Sequence, residues 1–218
     1  MTSLWENKTV LITSGPTREY LDPIRFLTNA SSGRMGWALA RQARRLGARV
    51  TVISGPSPDS PPQGIRVVPV VTALQMHRAA LKFCPQADVV IAAAAVSDWR
   101  LPAALVHKIQ RTPKNLRLTL KPNPDIIRAV SRRRKSSRSG LKQVLIGFAL
   151  ETRRPLASAR EKMKRKGLDM IVVNDSSALS ARRSRAAVLN RRGGIRKLPV
   201  QSKQATARAI FQEIRKFL

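Results

Sequence analysis

Short, uninterrupted apolar runs alternate with helically patterned segments along almost the whole of this chain, and that alternation restricts its fold more than any other feature. Val10, Leu11 and Ile12 form the first run, residues 49–54 (RVTVIS) the second, 65–70 the third and the very apolar 87–95 the fourth. Strands that are apolar on both sides are covered on both faces, as parallel strands are when helices connect them. A helix is expected over 33–46, where Met35, Leu39, Ala43 and Leu46 recur at helical spacing and Gly47 supplies a stop, and another over 73–83. Further strands are expected at 143–150 and 170–173, with a helix opened by Pro124-Asp125-Ile126 ahead of the first and a basic helix over 155–167 between the two. This βαβαβ order implies an α/β, doubly wound, mostly parallel sheet with helices on both faces, whose ligands gather at the carboxyl ends of the strands.

Less regular segments interrupt the pattern. Residues 107–111 and 116–121 read as two short strands around a turn at Pro113, expected to form a small protruding β arm over about 104–121. Residues 186–190 and 195–200 read as a hairpin around Gly193-Gly194, with a basic loop expected over about 176–194. A closing helix carries Ile210, Ile214 and Phe217 on one face. With 218 residues, the chain fits a single domain over 1–218.

The connection after the first strand carries most of the chemistry. It spans fourteen or more residues and ends in Ser31-Ser32-Gly33 where a helix starts, and a loop that long usually has a function. The amides and positive dipole end of that helix form a backbone site for phosphate. Ser31 or Ser32 read equally well as ordinary N-caps. Neither usual phosphate fingerprint is present: Gly33 and Gly36 enclose only Arg34 and Met35, and no GxxxxGK[ST] occurs.

Forty-two Lys and Arg against twelve Asp and Glu give a net charge of +30, a field that attracts nucleotides, RNA and acidic surfaces alike. Much of it sits in Arg132-Arg133-Arg134-Lys135, in Arg182, Arg183 and Arg185, and in Arg191-Arg192, read as exposed loops or helix ends. Aromatics are 4% of residues, too few for a stacking platform, so nucleic-acid binding is expected only as a non-specific charge effect. The lone cysteine, Cys84, excludes an internal disulfide and reads as a packing residue. The apolar stretch 89–96 is too short for a bilayer and no signal pattern opens the chain, so a cytoplasmic protein without a membrane partner is expected.

The tracts SGPTREYLDPIRFLTNASSGRMG, VISGP, AAAAVSDW, HKI, KPNPDI, IGFALET and AREKMKRKGLDMIVVND, in this order over residues 10 to about 175, resemble the phosphopantothenoylcysteine synthetase family of coenzyme A biosynthesis. The resemblance implies a Rossmann-like ligase of bacterial type that joins 4′-phosphopantothenate to L-cysteine, with CTP as co-substrate and Mg²⁺ as its cofactor. The carboxylate would attack the α-phosphate to give an acyl-cytidylate and pyrophosphate, and the cysteine amine would then displace CMP. It further implies a homodimer, and a decarboxylase on a separate chain.

Carried over by resemblance, Gly15, Ser31, Ser32, Gly33 and Gly36 cradle the nucleotide phosphates. Asn29 holds the acyl-nucleotide intermediate, although a loop Asx-turn is its ordinary reading. Lys108 opens the stretch KIQR, which stands where the family has KIKK, and is implied in both catalysis and nucleotide binding; a lysine on a short strand is otherwise a solvated edge residue. Lys162 and Lys166 share a helix face and match nucleotide-binding lysines, whereas Lys164 and Arg165 read as a solvated face. Phe148, Pro124, Asp125 and Ile126 would surround the base and Asn174 would lie near the nucleotide. Ala94, Ala95 and Asp98 would flank the acyl substrate, Asp98 touching the nucleotide as well. Arg25 would reach the substrate phosphate of a neighbouring subunit. No metal ligand is implied. The competing classes are a nicotinamide-dependent reductase, against which Ser54-Gly55 stands where a ribose-binding carboxylate belongs, and a basic RNA-binding protein.

Overall fold

The computed structural model describes residues 3–111, 115–136, 143–150, 154–174 and 182–218. Its frame is an eight-stranded sheet. In chain order the strands are β1 (Thr9–Ser14), β4 (Arg49–Ser54), β5 (Arg66–Pro69), β6 (Val89–Ala92), β9 (Val144–Leu150), β10 (Met170–Asn174), β11 (Arg183–Asn190) and β12 (Ile195–Ser202). Two small ribbons interrupt this series: β2 (Arg18–Tyr20) pairs with β3 (Phe26–Thr28), and β7 (Trp99–Arg100) with β8 (Lys121–Pro122). The sheet order is β12-β11-β10-β9-β6-β1-β4-β5, parallel from β10 to β5 and antiparallel at β10/β11 and β11/β12. The doubly wound, mostly parallel sheet read from the sequence is therefore present.

Helix α1 (Arg34–Arg45) and helix α5 (Lys203–Ile214) cover one face, burying Trp37, Leu39, Ile210, Phe211 and Ile214 with Ile12, Val52 and Ile146. Helices α2 (Ala73–Phe83), α3 (Ile126–Ser136) and α4 (Pro155–Lys166) cover the other, with Met76, Ile127, Val130 and Met163 packed on Leu11, Leu145 and Ile171. Local sequence sets their ends. Thr72 and Gln75 close a reciprocal capping box on α2, Ser202 caps α5, and Gly167 ends α4 at φ 65°.

Several expectations are corrected. The fourth apolar run forms a ladder only over Val89–Ala92, because Ala93 to Ala95 leave the sheet and keep a single bridge between Ala95 and Pro16. The arm has no strand over 107–111 or 115–120. Its N-terminal half is tied down instead by Leu105 N to Leu21 O at 2.9 Å, Ile109 N to Asp22 Oδ2 at 3.1 Å, and Arg25 Nη1 to Ile109 O at 2.9 Å. The expected turn at Pro113 lies outside the described residues, as do residues 176–181 of the expected basic loop. The rest of that loop is largely hairpin, because β11 and β12 run longer than their apolar cores, and Arg183 and Arg185 lie on β11. Arg134 lies at a helix end, in the last turn of α3, but is not exposed: it donates to Asp169 Oδ2 at 2.5 Å and Gly167 O at 2.8 Å.

Candidate active site

The order in which the parallel strands are laid down reverses between β1, whose crossover runs to β4, and β6, whose crossover runs the other way to β9. Such a switch point opens a cleft at the carboxyl ends of the strands. Two joined chambers occupy it here. The smaller, about 210 Å³, lies toward α3 and α4, and the larger, about 430 Å³, lies toward α1 and α5. Ala94, Val96, Asp98, Phe148 and Lys162 line both.

The larger chamber is built on the connection from β1 to α1. Gly15 at φ 77° turns the chain away from the strand, and Gly33 at φ 74° is the N-cap of α1. No side chain caps this helix. Ser31 Oγ accepts only a long 3.4 Å bond from Gly33 N, and the Ser32 carbonyl accepts from Ser57 Oγ at 3.0 Å, so the ordinary capping reading of the serines fails. The first amides of a helix have no intrahelical acceptor, and a glycine N-cap has no side chain to supply one, so the first turn of α1 suits an anion. Gly36 makes the close approach possible. A Cβ there would lie 2.1 Å from Ser14 Oγ, and that same hydroxyl donates to Gly33 O at 3.1 Å.

Asn29 lines this chamber, and its amide is already engaged. Nδ2 donates to Ala95 O at 3.1 Å and to Val96 O at 3.0 Å, and since both partners are carbonyls the NH₂ must face them. The residue therefore straps the Ala94–Val96 wall across the cleft in place of forming an Asx-turn. Thr13 Oγ1, accepting from Ala94 N at 3.3 Å, holds the same wall from below. Ser31, Ser32, Gly33, Gly36, Ala94, Ala95 and Asn174 complete the expected set in the larger chamber.

Pro124, Asp125, Ile126 and Lys166 line the smaller chamber together with Asn123. Asp125 opens α3, with Oδ1 accepting from Arg128 N at 3.2 Å, and its Oδ2 pairs with Lys166 Nζ at 2.9 Å. Lys166 is therefore tied to a carboxylate, and Lys162, one turn earlier, lines both chambers where they meet. Asn123 joins two loops: its Nδ2 donates to Ser97 O at 2.8 Å and its Oδ1 accepts from Arg100 Nη1 at 2.9 Å.

Three expected residues lie outside the chamber walls. Gly15 lies behind the cradle, its carbonyl accepting from Ala95 N at 2.9 Å. Lys108 is exposed on the arm. Arg25 holds the arm to Asp22, its Nη1 3.1 Å from Asp22 Oδ2. Burial by itself would raise the Asp22 carboxyl, but the amides of Arg25, Ile109 and Ile24 and the Arg25 charge hold it below its ordinary value. Burial pushes the Cys84 thiol up, as a packing cysteine requires. The sequence reading missed Thr13, Ser57 and Lys203. Only Lys203 carried a usable signal, a cation in the first turn of a helix, where the dipole disfavours it.

Among the described residues no helix is long and apolar enough to cross a membrane, and no group of three His, Cys, Asp or Glu forms a metal cluster. At the end of β4 the Ser54 hydroxyl bonds Gly55 O at 2.8 Å, in the place of a ribose-binding carboxylate. Residues 5–218 match the family model described as the DNA/pantothenate metabolism flavoprotein C-terminal domain. The coenzyme A biosynthesis bifunctional protein CoaBC of Bacillus subtilis (strain 168) is 40% identical over 214 residues, covering 96% of this chain and 51% of that protein. The chain thus spans about half the length of the curated relatives it matches. The crystal structure of the CoaBC C-terminal domain superposes with a TM-score of 0.81 at 36% identity, covering 98% of this chain and 96% of that one. A Cab2 mutant solved in complex with phosphopantothenate-cysteine shares the fold at 22% identity and a TM-score of 0.77, over 99% of this chain and 89% of that one. A match running through sheet, cradle and cleft over nearly the whole length shows that this chain belongs to the DNA/pantothenate metabolism flavoprotein C-terminal domain family.

Proposed function

We propose that this chain is a phosphopantothenate–cysteine ligase of coenzyme A biosynthesis that activates the carboxylate of 4′-phosphopantothenate with CTP. The observation that carries the reading is the first turn of α1, behind a glycine N-cap, opening into a cleft that continues, past Lys162, into a smaller chamber. Phosphates fit the first and a base the second. The smaller chamber is bounded by Phe148 and by residues 123–126, a lining that suits a compact pyrimidine. Membership in a family that includes the CoaBC C-terminal domain supports the same assignment.

In the first step a carboxylate oxygen bonds to the α-phosphorus, the bond to the β-phosphate breaks, and pyrophosphate leaves. In the second the cysteine nitrogen bonds to the acyl carbon, CMP leaves, and the amine gives up its proton. The cradle amides and Lys162 balance charge on the phosphates as it redistributes, which is where preorganised donors contribute most. Mg²⁺ would arrive on the triphosphate, since it keeps several waters and takes phosphate oxygens without a dedicated protein cage, and Asp98 is the exposed carboxylate on the wall of both chambers. Arg25 and Lys108 lie together on the arm side, away from these walls, which suits the reading that they serve the site of a second subunit in a homodimer.

Pyrophosphate release in the presence of phosphopantothenate and each nucleotide in turn tests the reading. Faster turnover with CTP than with ATP at subsaturating nucleotide is expected, and equal rates or no release would overturn it. Within α4, Lys162→Ala is expected to raise the KM for CTP on the order of tenfold, the weight of one charge-assisted contact. Lys166→Ala should act less strongly because that lysine lines the smaller chamber alone, and the exposed Lys164→Ala hardly at all. If all three raise KM alike, the helix supplies only a diffuse field.

A further inference from the structure

Lys203 is the first residue of α5 and only 8% exposed, yet it lines the larger chamber. Its Nζ donates to Ser184 Oγ at 2.9 Å, and Ser184 is itself buried, at 2% exposure on β11. The sheet therefore holds the ammonium in place at the chamber wall. Because β12 runs parallel to β10, the end of β12 and the start of α5 lie at the same carboxyl edge as the phosphate cradle. Ser31, Ser32 and Gly33 line the same chamber as Lys203, but the smaller chamber includes none of these four. Lys162 stands between the two.

That order along the cleft separates the parts of a nucleotide. A ligand with its base in the smaller chamber and its phosphates over α1 meets Lys162 at the junction and Lys203 only in the chamber farther from the base. The geometry points to Lys203 as the cation that receives the β,γ-phosphate end of the nucleotide, the part released as pyrophosphate; this assignment rests on the CTP reading above. A buried ammonium forms stronger hydrogen bonds to phosphate than an exposed one, because less water competes. The dipole of α5 adds to the same preference for negative charge. Lys203 thus distinguishes a triphosphate from a monophosphate, whereas Lys162 serves both.

Equilibrium titration of the chain with CTP and with CMP tests this without turnover. Lys203→Met is expected to weaken CTP on the order of ten- to a hundredfold, the range for a hydrogen bond to a charged group, and to leave CMP unchanged. Lys203→Arg should recover much of the CTP affinity. Ser184→Ala keeps the charge but removes its anchor, and should weaken CTP to a smaller degree, again without touching CMP; this variant decides the matter if Lys203→Met does not fold. Unchanged CTP affinity in the variants, or an equal loss for CTP and CMP, overturns the assignment while leaving the nucleotide reading intact. A wild-type chain that binds neither nucleotide overturns the nucleotide reading itself and this assignment with it.

Discussion

Asn29→Asp should still release pyrophosphate from CTP and phosphopantothenate, yet form phosphopantothenoylcysteine on the order of a hundredfold or more slowly, the cost of losing one oriented donor at a developing oxyanion. The substitution keeps the shape of the side chain and replaces an NH₂ with a carboxylate oxygen. In the structure that NH₂ bonds two backbone carbonyls, Ala95 O and Val96 O, so the mutant sets negative charge against two acceptors. The wall they belong to lines both chambers through Ala94 and Val96. We expect the acyl-cytidylate to take over one of these two bonds as it forms, which makes the second half-reaction the sensitive one. Mass spectrometry of quenched reactions reads the result directly, with the intermediate accumulating in the mutant. Loss of pyrophosphate release in step with loss of product would show that Asn29 only holds the wall. Asn29→Ala separates the two effects, because it removes the strap without adding charge.

Gly36→Ala should lower both stability and nucleotide affinity, although it adds a single methyl group to a helix. Its Cβ would sit 2.1 Å from Ser14 Oγ and 2.4 Å from Ser14 Cβ, and the strand backbone follows at 3.1 Å. Ser14 lies on a central strand and is fully buried, so neither rotation nor exposure relieves the contact. Helix α1 must back away from β1. Overpacking of this kind costs about 1–3 kcal/mol, or roughly 2–12 °C of Tm in a domain of this size. The larger consequence is functional, because α1 carries the cradle with it and the Ser14 to Gly33 bond is stretched. A misplacement of about 1 Å in a positioned site can cost on the order of a hundredfold. Gly193→Ala is the control: no atom lies within 4 Å of the added methyl, so only the strain of φ 90° is felt, and CTP binding should be unaffected. Equal effects of the two substitutions on CTP binding would refute the close approach as the reason for Gly36.

The element order, the parallel core and the location of the cradle were legible in the sequence, because each is written within a few neighbouring residues. Val10 to Ile12 announce a strand buried on both faces, and Gly47 announces the stop of the helix over 33–46. The ordered tracts resembling one family placed Asn29, Ser31, Phe148, Lys162 and Asn174 in a single site, and the cleft brings all five together. What stayed illegible depends on partners far apart along the chain. Nothing near Asn29 says that its amide is held by Ala95 and Val96, and nothing near Lys166 says that Asp125 pairs with it. The arm read as two strands because a local pattern records extended backbone but not whether a partner lies alongside, and here side-chain anchors on Asp22 and Arg25 take the place of a ladder. Lys203 entered the cleft only because the antiparallel excursion through β11 and β12 returns the chain to the carboxyl edge beside α1. By itself the sequence determined the alternating strands and helices of the main sheet and where the first helix opens. Tertiary structure alone decided which donors and charges meet there, since pairing and burial are set by the packed sheet and not by neighbours in the chain.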